Sequence, residues 1–135
     1  MSPKHAPCPK AMRAGRLRKA EQFLAAGGDV LALADAHHDV GDAYVTLCVH
    51  AGIAAADVMC CAALGQHSLG EDHREAVALL KQVDKDAAKH LETLLTLKTK
   101  AAYTSSAVSA ADVKRAERAA ASLVETARRS HAAAG

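Results

Sequence analysis

Aromatic side chains are almost missing from this chain: there is no Trp, and Phe23, Tyr44 and Tyr103 are the whole supply. A core here cannot be filled with rings and has to come from Ala, Leu and Val at close helix spacings. Proline is equally scarce, its three copies all lying within the first nine residues, so no ring interrupts a helix further on. The four cysteines, Cys8, Cys48, Cys60 and Cys61, show no framework spacing and no Cys-x-x-Cys. Lys4, Lys10 and Arg13 lead into no apolar segment of the kind a secretory signal needs, so a reducing, cytoplasmic setting is expected. His-Glu-x-x-His is absent, and His67 and His73, six apart near Cys60-Cys61, do not repeat a ligand spacing. No glycine-rich phosphate loop, nucleophile signature or internal repeat is present either. No metal and no cofactor are therefore expected.

What is present is helical. Half of the residues are hydrophobic, many of them alanine, and runs of Ala, Leu, Lys, Arg and Glu recur at helical spacing. This predicts an all-α protein with a flexible leader over residues 1–9 and one bundle domain over 10–135. A basic helix is expected from about Ala11, bent or divided by the glycines in "GGD" at 27–29, with a second run reaching about Ala36. "HHDVGD" reads as a turn. A long helix follows over about 42–64, then a loop, a short helix over about 71–83 and another from near Asp84 to about Ala102. Ser109-Ala110-Ala111-Asp112 has the pattern of a capping box opening the last helix.

Charge is divided along the chain. Residues 1–28 carry six bases and one acid, 29–75 one base and eight acids, and 76–135 ten bases and six acids. The net charge of +2 is too mild to mark a nucleic-acid binder by itself. The stretch 43–64 is long enough to span a bilayer. Asp57 within it would cost roughly 2.5–3.5 kcal/mol in hydrocarbon, so no membrane span is expected and the segment reads as the buried central helix of a bundle.

Two faces carry candidate chemistry. Counting about 100° per residue from Leu91, Lys98 and position 102 both fall within about 20° of the apolar stripe, while Lys100 points the other way. On spacing alone, Lys98 either snorkels past the core edge near a helix C-terminus or lines a cleft. On the long helix, Thr46, His50, Ala54, Asp57 and Cys61 share one face, a polar seam in which His50 and Asp57 are cleft candidates. A buried carboxylate needs a partner, and Lys98 is one candidate for Asp57. The basic run Lys10, Arg13, Arg16, Arg18, Lys19 reads as a solvated face, with phosphate contact as the alternative.

"DAYVTLCVHAGIAAADVMCCAALGQHSLGEDHREAVALL", then "LLTLKTKAAY", then "VSAADVKRAERAAASLVETAR" resemble the HEPN superfamily. The resemblance covers nearly all of the chain beyond the leader. It is strongest to a bacterial subgroup whose fourth helix ends in Lys-x-Lys-Ala-His-Tyr. It implies an up-and-down bundle of four to five helices, homodimeric, of the lineage of toxin-type, metal-independent RNases often paired with a nucleotidyltransferase-fold antitoxin. Lys98 then takes the basic position of the catalytic motif with Tyr103 beside it, and Lys98, Lys100 and Tyr103 become the RNA-contacting residues. Ala102 stands where the subgroup has histidine, which removes the proton-transfer group. The expected function is an RNA-directed protein with catalysis lost or disabled, whether Ala102 is natural or engineered. The alternative is a non-enzymatic homodimeric module binding a protein or nucleotide partner.

Overall fold

The computed structural model describes residues 4–69 and 72–135. Five α-helices pack as a bundle: α1 (Lys10–Leu33), α2 (Gly41–Leu64), α3 (His73–Lys81), α4 (Lys85–Tyr103) and α5 (Ala110–Ala134). A 3-10 turn, His37–Asp39, joins α1 to α2. Two short strands, β1 (His5–Pro7) and β2 (Gln66–Ser68), pair antiparallel with His5 opposite Ser68.

The α2 helix lies at the centre, in contact with α1, α4 and α5. It is long and apolar enough to cross a membrane, but most of it is buried inside the bundle. Its Val45, Val49, Val58 and Met59 meet a core shared with Leu79, Leu80, Leu91, Leu94 and Leu123, all essentially inaccessible. Small residues let these helices approach closely. A Cβ at Gly52 would collide with Leu94 Cδ1 and sit 3.2 Å from Leu123 Cδ1. Gly27 does the same on α1, where a Cβ would lie 3.3 Å from the Tyr44 ring. That contact explains why α1 runs on through 27–29 as one continuous helix and is not divided there: Gly27 faces α2 as a packing surface.

Helix ends follow local chemistry. The Asp72 and Asp84 side chains accept from the Arg74 and Ala87 N–H groups at 3.0 and 2.9 Å, satisfying donors that a first turn leaves unpaired. Ser109 and Asp112 form the expected reciprocal capping box. Gly65 ends α2 in the left-handed region at φ 68°, its N–H bonding back to the Cys61 carbonyl.

The leader is corrected in its described part. Residues 1–3 lie outside the described residues, but 4–9 are tied down, not loose. Cys8 is bonded to Cys61 on the last turn of α2, with a Cα–Cα separation of 5.4 Å. The Cys8 N–H bonds to the Gly65 carbonyl and the Leu69 N–H to the Lys4 carbonyl, each at 3.0 Å, which extends the three-residue ladder at both ends. A ribbon this short is marginal alone, and the cross-link supplies the anchor.

Two glycines of α1 and α2 separate the packing requirement from helix propensity. Gly52→Val should destabilise the fold by about 1–3 kcal/mol, because the added carbons have no room. Gly28→Ala, with nothing within 4 Å of its Cβ position, should stabilise it by roughly 0.5–1 kcal/mol. Urea denaturation of both variants against the parent chain checks the contrast.

Candidate functional site

Asp57 sits two-thirds of the way along α2, on the seam that faces α1. Arg16 of α1 meets it with two bonds to one carboxylate oxygen, Nε at 3.0 Å and Nη2 at 2.9 Å. Burial pushes the Asp57 carboxyl up, against the pull of Arg16 and of the nearby His67. Lys98 is therefore not its partner, contrary to the sequence expectation. The reason is placement: Arg16 is carried on the helix that covers the seam, while Lys98 stands on α4 and is engaged elsewhere. Arg16 also departs from the solvated face expected for the basic run. Arg13, one turn before it, is buried and donates to His131 Nδ1 on α5 at 2.9 Å.

The seam divides along its length. His50 is exposed, its ring in a tilted contact 5.4 Å from Phe23, and it is not on the wall that carries Asp57. Thr46 bonds back to the Asp42 carbonyl within its own helix. Cys61 at the other end is consumed by the disulfide. Cys48 and Cys60 remain as buried thiols, and burial pushes their pKa values up to about 11 and about 12. Neither is a thiolate nucleophile near neutral pH.

Lys98 reaches α3 instead. Its Nζ lies 3.0 Å from Nε2 of His73, the first residue of that helix. With the ammonium as donor, Nε2 is the lone-pair acceptor and the imidazole is neutral. Burial lowers the His73 pKa and the Lys98 charge lowers it further, with Asp72 opposing. Among the described residues no carboxylate forms an ion pair with Lys98.

Lys100 has the opposite fate. It was expected to be solvated and available to RNA, but it is half-buried and bonded to Asp112 Oδ2 at 3.1 Å. Asp112 is only 4% exposed. It accepts from the Ser109 N–H, from Lys100 and from Arg115. The Ser109 backbone bond, then these two cations, hold its carboxyl well below the usual range despite burial. The capping residue of α5 thus doubles as the acceptor that neutralises Lys100. Beyond it, Ala102 and Tyr103 are exposed, Tyr103 at 73%, because α4 runs past the core at this end. Position 102 shares a helix face with Lys98, yet no element covers it.

Between α1, α2, β2, α3 and α4 lies a cavity of about 120 Å³ whose polar wall is Arg16, Asp57, Ser68 and His73. A wider groove of about 430 Å³ runs outside it between α3 and α4, lined by Val77, Ala78 and Leu95 with His73, Arg74 and Lys81. His73 and Leu95 border both spaces. The structure thus brings Asp57 and Lys98 to one region only through His73, and leaves His50, Lys100 and Tyr103 apart from it. Among the described residues no group of three or more His, Cys, Asp or Glu is placed to hold a metal ion.

Arg16 and His73 are the site residues that sequence reasoning missed. Arg16 had a signal: Arg16, Ala20, Phe23 and Gly27 fall at 4, 3 and 4, the α1 face that meets α2. His73 had none, since nothing in sequence joins it to a lysine 25 residues on. Compared with family models, with curated proteins and with solved structures, the chain shows no match.

The His73 environment has a pH consequence. Unfolded, its imidazole takes up a proton near pH 6.5; folded, it does so only at lower pH. The folded state binds fewer protons in that window, so stability falls as pH is lowered through it. Melting temperature should drop from about pH 7.5 to about pH 5.5, and His73→Asn, which keeps an acceptor for Lys98, should flatten that slope. An unchanged slope in the variant would place the titrating group elsewhere.

Proposed function

We propose that this protein is an RNA-directed member of the HEPN lineage, an RNase in ancestry with catalysis lost or disabled at Ala102. The observation that carries the reading is the contrast between the two lysines of α4. Lys100 is spent on Asp112, whereas Lys98 has an imidazole and, among the described residues, no carboxylate for a partner, and that imidazole, His73, borders the α3–α4 groove. An ammonium held by a neutral acceptor exchanges that bond for a phosphate oxygen at small cost and gains a charge-assisted one. Arg74, paired with Asp72, and Lys81 are both exposed in the same groove and are partly offset there by Glu92. Tyr103 offers an exposed ring on which a base can stack. Lys100 drops out of the RNA-contacting set.

One turn from Lys98, the methyl group of Ala102 cannot take or give a proton, so binding is retained without cleavage. The exposed end of α4 is also where a second copy of the chain would complete a two-fold cleft, and there the alternative reading, a homodimeric module for a protein partner, finds its support in the exposed Tyr103 and Ala102.

Fluorescence anisotropy with a labelled single-stranded RNA tests the reading. Lys98→Ala should weaken binding severalfold and lower the slope of log affinity against log salt by about 0.7, the share of one phosphate contact. Ala102→His should add cleavage that survives a metal chelator and spares DNA, because the attack uses the ribose 2′-hydroxyl. RNA affinity indifferent to Lys98 would transfer the reading to the protein-binding module.

A further inference from the structure

We propose that the cavity beside the Arg16–Asp57 pair is a binding site for a small uncharged amphiphile, a molecule of phenol or short-alcohol size with one hydroxyl or amide end. This goes beyond the RNA reading and does not depend on it. The cavity, about 120 Å³, is close to the size of the apolar cavities of about 150 Å³ that admit benzene. Most of its wall is apolar: Ile53, Ala56, Ala76, Leu91 and Leu95. Water gains little against such a surface and satisfies its hydrogen bonds only at the polar end. A ligand with an apolar body and one polar group matches both parts of the wall.

The charge of the wall decides the class. Arg16 and Asp57 are bonded to each other and offset. His73, accepting from Lys98, presents a neutral ring, and Cys60 remains a thiol. A carboxylate or ammonium entering this space would lose its water and find no uncompensated opposite charge on the wall, since Lys98 stands behind His73 and does not line the cavity. A hydroxyl finds instead a carboxylate to donate to and an imidazole or guanidinium edge to accept from. Entry runs between α3 and α4, where His73 and Leu95 border both the cavity and the open groove.

Ile53 is the sole isoleucine in the chain and lies on the cavity wall, so its labelled δ1 methyl is a site-specific reporter. The methyl resonance of the full chain is followed by NMR during titration with phenol, benzene, benzoate and benzylamine. Phenol should shift it saturably, and bind roughly three- to tenfold more tightly than benzene, the share of one hydrogen bond. Benzoate and benzylamine should leave it unmoved. Ala76→Leu, which places an isobutyl group in the cavity, should abolish the phenol shift while the amide spectrum stays that of the folded protein. The proposal is overturned if no probe moves the methyl in the folded protein, if charged and uncharged probes move it alike, or if benzene matches phenol. It is equally overturned if Ala76→Leu, still folded, retains the shift.

Discussion

Asp57 is a carboxylate planted in an otherwise apolar helix, and the fold is arranged around the need to compensate it. An unpaired charge at that depth would cost several kcal/mol, more than any one apolar contact on α2 returns. Arg16 answers the need from α1, and in doing so helps to set how α1 lies on α2. The Gly27–Tyr44 contact fixes the same packing at the far end of α1. The Cys8–Cys61 bond fixes it just before α1 begins, one turn beyond Asp57. With α1 in place, β1 is delivered to β2, and β2 brings Ser68 to the cavity wall. The cavity is what remains where a guanidinium, a carboxylate and an imidazole from different elements converge without filling the space.

Because Arg16 satisfies Asp57, Lys98 is released from that task. The two lysines of α4 then serve different neighbours although only two residues separate them. Lys100 braces the α4–α5 connection through Asp112, and the Val108 N–H is held from the other side by Asp42 at 2.9 Å. Lys98 sits on the face that meets α3, where a neutral histidine receives it. A helix places residues two apart about 160° from each other, so these separate fates follow directly from helical geometry.

The parts of this arrangement that were legible in the sequence are those written at short range. Helix periodicity announced α2, α4 and α5. Ser109 and Asp112, three apart, announced the cap, and Lys98 stood out against its leucines. What stayed hidden depends on distant neighbours. Three residues of β1, one of them proline, carry no strand signal, and a pairing between Cys8 and Cys61 across 53 residues leaves no spacing pattern. Lys98 was one candidate partner for Asp57, and Arg16 was read as part of a solvated face because its approach to Asp57 appears only once α1 is docked on α2. Asp112 was read as a cap, but its second duty to Lys100 appears only when α4 and α5 are side by side. Gly27 and Gly28 signalled a helix break on propensity alone, and tertiary packing overrode it.

The central claim is that Arg16, not Lys98, compensates Asp57. Two double-mutant cycles on folding stability measure this directly, one built from Arg16→Met and Asp57→Asn and the other from Lys98→Met and Asp57→Asn. The account requires a coupling of about 1–3 kcal/mol between Arg16 and Asp57, and a coupling within about 0.5 kcal/mol of zero between Lys98 and Asp57. A strong coupling to Lys98 with none to Arg16 would contradict it.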